Sequence, residues 1–130
     1  MEERVRELVD VYNSGDLDAM LALLHEDAVA VIPDGMPNAG VYEGRAAVGR
    51  MLVQWGEAWE HFRVEPQAFI EAGDALLVPA RQIGRGRGSG IELELEFVWV
   101  VRERDGRLVY WRLCQTLEEA RALAGGDLLR

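Results

Sequence analysis

A chain of 130 residues with 49% hydrophobic content has the length of one domain and enough apolar material for a core without staples. Its 14 basic residues are all Arg, and against 23 acidic residues they leave a net charge of −9, which disfavours nucleic acid and anionic membrane as partners because both demand a basic footprint. A single cysteine, Cys114, forms no internal disulfide, which fits a reducing cytoplasm; no signal peptide is expected before Met1-Glu2-Glu3, and no apolar run approaches the ~18 residues that span a bilayer.

In chain order, residues 2–13 place Val5, Leu8, Val9 and Tyr12 on one helical face, with Gly15 as a left-handed stop. Asp16 then stands as an N-cap before Leu17, Met20, Leu21 and Leu24, which recur at helical spacing, and His25 is expected to end that helix. Ala28–Ile32 reads as a buried strand closed by Pro33. The stretch from Asp34 to Glu43 holds Gly35, Pro37 and Gly40 and reads as a loop, a candidate lid. A third helix is expected from about Gly44 to Glu60, with Val48, Met51, Leu52, Trp55 and Trp59 along one face.

Four longer strands follow at about Phe62–Ala72, Ala75–Ile83, Ile91–Arg102 and Arg107–Thr116. Gly73-Asp74 and Asp105-Gly106 are turns, and Gly84–Gly90 is a flexible connection. Strict alternation from Ile91 to Phe97 puts Ile91, Leu93, Leu95 and Phe97 on a buried face and sends Glu92, Glu94 and Glu96 outward. Thr116-Leu-Glu-Glu119 matches a capping box and starts a short C-terminal helix to about Ala124; Gly125-Gly126 end it, before a tail to Arg130. One domain over residues 1–130, ordered from about 2 to 124, is expected, of α+β class.

The run Gly15-Asp16-Leu17-Asp18, the His25-Glu26-Asp27 entry into a strand, and the downstream GVYEGRAAV, FRVEPQAFIEAGD and RDGRLVYWR segments together resemble the SnoaL-like branch of the nuclear transport factor 2-like superfamily, whose relatives include ketosteroid isomerases and limonene epoxide hydrolases. The resemblance covers nearly the whole chain. It implies a cone, helices packed on a curved antiparallel sheet around a hydrophobic pocket, and a homodimer through the sheet face. By the same resemblance the isomerase's donor Tyr falls on Leu8, its carboxylate base on Ile32 and its protonated Asp on Val98, all apolar here. The hydrolase's Arg falls on Arg81, while its two carboxylates fall on Ile83 and Leu113.

Arg81 is therefore expected inside the cavity, paired with Glu96 or Glu94 or met by Gln115, as an anchor or electrophile for a carbonyl-bearing or anionic ligand. The competing reading is a structural ion pair or a solvated strand Arg, and the outward alternation of Glu94 and Glu96 conflicts with an inward Arg81 paired to them. Asp34 is the candidate substitute base, against a solvated loop carboxylate. Trp55, Trp59 and Trp111 form either an aromatic box for a flat ligand or plain core; Trp99 is placed on the other side of the sheet from Val98, in a dimer interface. Leu8, Tyr12, Ile32, Met51, Leu52, Val98, Leu113 and Gln115 complete the expected lining. His25 and His61 have no second ligand at metal spacing, and no metal or cofactor is expected. Two functions follow as expectations. One is a pocket protein for a small apolar or weakly polar molecule, with an isomerase, cyclase or hydrolase step on a carbonyl or epoxide compound. The other is a non-catalytic dimeric binding or scaffold domain.

Overall fold

A left-handed glycine and an aspartate cap set the first two helices. In the computed structural model, which describes residues 1–124, α1 (Glu2–Ser14) stops at Gly15 with φ +79°, and Asp16 accepts from the Ala19 N–H at 3.1 Å to start α2 (Leu17–Ala22). Such a cap stabilises its helix by about 1 kcal/mol. The chain then enters β1 (Leu24–Ile32) earlier than expected: His25 lies inside the strand and does not end a helix. The cause is an irregularity between Leu24 and Val29, where β1 keeps its place beside the last strand while the Asp27 N–H donates to His25 Nδ1.

Residues 33–39 form the loop, but Gly40–Glu43 are a strand, β2, paired antiparallel with β1. α3 (Arg45–Glu57) is shorter than the spacing suggested. Trp59 opens β3 (Trp59–Pro66), and the strand expected at 62–72 is broken after Pro66, with β4 (Ile70–Ala72) resuming against the start of β5 (Ala75–Gly86). β5 runs three residues into the glycine-arginine stretch, to Gly86. Gly84 permits this: a Cβ there would overlap the His61 carbonyl oxygen and lie 2.9 Å from Phe62 Cα. β6 (Glu92–Arg104), the Asp105-Gly106 turn, β7 (Arg107–Cys114) and α4 (Leu117–Ala124) complete the chain. The Glu119 N–H donates to Thr116 Oγ1, one half of the expected capping box, while the Glu119 carboxylate accepts from the Gln115 N–H at 3.2 Å in place of Thr116; the stop at Gly125-Gly126 and the tail lie outside the described residues.

The sheet runs β2-β1-β7-β6-β5-β3, antiparallel except for the parallel β1–β7 pair, with β4 beside β5. One face carries Ala28, Ala30, Val64, Leu76, Val78, Ala80, Trp99 and Val101 against α1, α2 and α3. The opposite face carries Ala75, Leu77, Val98, Val100, Tyr110 and Cys114, and α4 covers it with Ala120 and Leu117. Two apolar layers on either side of one sheet explain why β5 and β6 contain continuous buried runs. A shift in register between Arg102 and Glu103 leaves Val109 as the extra residue on β7 and lets Leu108 and Tyr110 face opposite cores. α1 clamps the edge strand β3: Asn13 Nδ2 donates to the Val64 carbonyl at 3.0 Å, and the Val64 N–H donates to Asn13 Oδ1 at 2.9 Å.

Candidate functional site: an aromatic slot with one buried amide

Between α1, α3, the 33–39 loop and the inner sheet face lies a cavity of about 60 Å³, counted as space open to the centre of a water molecule. One water needs roughly 10–15 Å³ on that measure, so the slot holds several waters or one small ring system. Helical spacing brings Leu8, Val9 and Tyr12 from α1 and Met51, Leu52 and Trp55 from α3; strand alternation brings Val64, Gln82, Phe97, Trp99, Trp111 and Leu113. Ile32 at the end of β1 and Met36 and Asn38 from the loop close the lining. Trp99 and Trp111 lie with ring centroids 4.6 Å apart and Phe97 with Trp99 at 5.6 Å, so three aromatic rings make a continuous wall.

Three polar side chains matter inside it. The Tyr12 hydroxyl donates to the Leu52 carbonyl at 2.9 Å, joining α1 to α3; burial pushes its phenol well above the ordinary value of 10, so it stays protonated. Gln82 is 2% exposed, and its Oε1 accepts from the Trp55 indole Nε1 at 2.9 Å while its Nε2 has no partner among the described residues. Asn38 is tied through its backbone, whose carbonyl accepts from the Tyr42 hydroxyl at 2.6 Å, but its Oδ1 is buried without a partner. The lining contains no Asp, Glu, His or Arg among the described residues. Among the described residues, no group of three or more His, Cys, Asp or Glu is placed to hold a metal ion, and no helix is long and apolar enough to cross a membrane.

A family model described as a SnoaL-like domain matches residues 5–111. The chain belongs to the SnoaL-like family. None of the curated proteins compared with this SnoaL-like chain matches it. Among solved structures, TerC co-crystallised with polyporic acid is 23% identical over 95% of this chain and 97% of that one, with a TM-score of 0.77. A nuclear transport factor 2-like protein of unknown function from Burkholderia pseudomallei is 26% identical over 96% and 97%, with a TM-score of 0.78. A Catenulispora acidiphila protein with a ketosteroid isomerase-like fold, in complex with trimethylamine, is 16% identical over 98% and 96%, with a TM-score of 0.76. The nuclear transport factor 2-like α+β cone is the fold of this SnoaL-like chain.

Of the residues singled out from the sequence, Leu8, Tyr12, Ile32, Met51, Leu52, Trp55, Trp111 and Leu113 meet at the cavity. Six others do not. Arg81 sits on the outer face of β5, because Leu76, Val78, Ala80 and Gln82 hold the inward positions; its guanidinium pairs with Glu65 at 2.8 Å and Glu94 at 3.1 Å. Those carboxylates raise the Arg81 pKa, and the Arg81 hydrogen bond first of all holds Glu65 below the usual range. Glu96, opposite Arg81 on β6, is likewise outside and exposed. Val98 has the same parity and belongs to the layer under α4. Gln115 lies past the end of β7 and is exposed, bordering a shallow hollow with Arg81 and Glu96. Asp34 is exposed on the loop, whose inward residues are Met36 and Asn38. Trp59 leaves α3 for β3. It packs edge-on against Trp55 at 5.7 Å and lines a separate open groove between the helix ends. Trp99, expected in an interface, is instead the centre of the cavity wall.

Gln82 and Asn38 are the polar lining residues that the sequence did not single out, and for Gln82 the reason is parity. The signal was available: if Arg81 pairs with glutamates that alternation sends outward, Arg81 is outward too, and its neighbour Gln82 must be inward.

Proposed function

We propose that this SnoaL-like chain is a binding protein for a small, largely apolar, flat molecule held in the aromatic slot. The observation that carries this reading is the cavity walled by Phe97, Trp99 and Trp111, whose lining, among the described residues, holds no carboxylate or imidazole. General acid–base work needs a titrating group within hydrogen-bond reach of the reacting atom. Tyr12 is committed to Leu52 and held neutral, and Arg81, Asp34 and Glu96 are elsewhere, so binding is favoured over an isomerase, cyclase or hydrolase step. The co-crystallised polyporic acid of TerC supports a small organic molecule as the ligand class. The test is titration with one- and two-ring compounds, read by intrinsic tryptophan fluorescence. Saturable quenching that disappears in Trp111→Ala is expected. Absence of any saturable change up to the solubility of the compounds, or a high-resolution structure with the slot closed by its own side chains, defeats the reading.

The homodimer through the sheet face is also a proposal. On that face α4 covers the apolar layer, and the uncovered part carries Glu65, Arg81, Glu94 and Glu96. Pairing there is polar, so sedimentation should show a dimer that weakens as salt rises; a monomer at every salt concentration refutes it. The reducing cytoplasm is the location we propose, in keeping with the free, buried Cys114.

A further inference from the structure

We propose that the slot selects a neutral ligand bearing a carbonyl-type acceptor, recognised by the Gln82 amide nitrogen. The inference rests on the binding reading above and deepens it.

The two ends of a glutamine amide look alike in shape, and only their partners tell them apart. Here the partner decides. An indole N–H is a donor and nothing else. The Gln82 atom that meets Trp55 Nε1 at 2.9 Å is therefore the oxygen, and the other end is the NH2 group. That nitrogen is buried and has no acceptor among the described residues, in a side chain 2% exposed at the cavity wall. A buried polar group left unpaired is costly, and native proteins seldom keep one. The pairing with Trp55 also prevents the amide from turning round to offer its oxygen to the cavity. The slot thus presents a fixed donor among apolar and aromatic walls.

The complement of a fixed neutral donor is an acceptor: a ketone, quinone, lactone or amide carbonyl. An anion is disfavoured, since the lining has no cation to offset its desolvation. Asn38 adds a second contact near the loop. Its Oδ1 is buried without a partner among the described residues and can accept from a donor on the ligand. A carbonyl oxygen brought up to Gln82 Nε2 supplies the acceptor that the surrounding side chains do not.

Matched bicyclic probes of nearly equal size test the proposal: indane, 1-indanone and indane-2-carboxylate, titrated into the whole chain by calorimetry and tryptophan fluorescence. Wild type should bind 1-indanone roughly tenfold more tightly than indane, the discrimination one buried hydrogen bond supplies, and the carboxylate least. Gln82→Leu should bind indane at least as well as wild type and lose the preference for the ketone. Gln82→Met keeps the length of the side chain but carries no N–H or O–H donor, so it should also lose the preference; it serves where Gln82→Leu does not fold. Equal binding of indane and 1-indanone by wild type, a ketone preference that survives both substitutions, or tightest binding of the carboxylate overturns the donor assignment while leaving the slot a binding site. Failure of all three probes counts against the slot itself and, with it, the ligand class.

Discussion

At the scale of single residues, the Trp55–Gln82 hydrogen bond does two things at once. It satisfies a buried acceptor and it fixes the sense of the amide. Trp55→Phe keeps most of the apolar contact but orphans Gln82 Oε1. A buried acceptor left without a partner costs about 1–3 kcal/mol, so urea unfolding should show a loss of that size, and the ketone preference should narrow because the freed amide can rotate. The Arg81–Glu65 pair makes a separate pH prediction. Glu65 is held below its ordinary range in the folded protein, so its contribution is complete above that range and is lost as pH falls through the lowered value. In Arg81→Met the Glu65 carboxyl should titrate closer to the usual glutamate range, as followed by carboxyl-carbon NMR. Cavity binding should be unaffected, because the pair lies on the far side of the sheet.

At the scale of elements, α1 is attached to the sheet through one side chain that bonds both backbone groups of Val64 on the edge strand. Asn13→Ala removes both bonds at once. The expected cost is about 2 kcal/mol, at roughly 1 kcal/mol per bond, with faster hydrogen exchange at Val64. Unchanged exchange there would show that β5 alone holds β3 in place. Elements also show how much could be read beforehand. The caps at Asp16 and Thr116, the Gly15 stop and the Asp105-Gly106 turn are local chemistry, and each appears where the residues put it. The end of α3 was not legible. Trp59 continues the helical stripe by spacing, and the decision in favour of β3 comes from pairing with Gly86, a residue far away in the chain. The split between β3 and β4 was signalled by Pro66, but alternation on both sides of it read as one strand.

At the scale of the whole molecule, the cone was legible from the order of helices and strands, while the identity of the side chains inside it was not. Leu8, Tyr12, Met51, Leu52 and Trp55 border the cavity because a stripe at spacings of three and four has one sense only, while Trp59 leaves that stripe for β3. Strand walls depend on parity, and an error of one residue exchanges the two faces. Placing Arg81 inward moved Glu96 and Val98 with it; the observed register of Glu65, Arg81 and Glu96 across three strands puts all of them outside together. The same two-layer arrangement buries Cys114 between the sheet and α4. Burial pushes its thiol up to about 11, with Glu119 adding to the rise and Arg112 opposing it. A raised thiol pKa means that the neutral form contributes fully below the ordinary value, and the contribution fades as pH rises through about 11. Native protein at mildly alkaline pH should therefore resist thiol labelling, with modification tracking unfolding by denaturant. Rapid labelling of folded protein would show that α4 detaches readily.

Alternation along β5, β6 and β7 gives the two faces of the sheet separate sets of residues. Gln82, Phe97, Trp99, Trp111 and Leu113 can be varied without touching the Arg81 ion pairs or the layer beneath α4. For evolution, and equally for a combinatorial library, this separates what the molecule recognises from much of what keeps it folded: a new specificity can be written on one face while the other face goes on holding the sheet together.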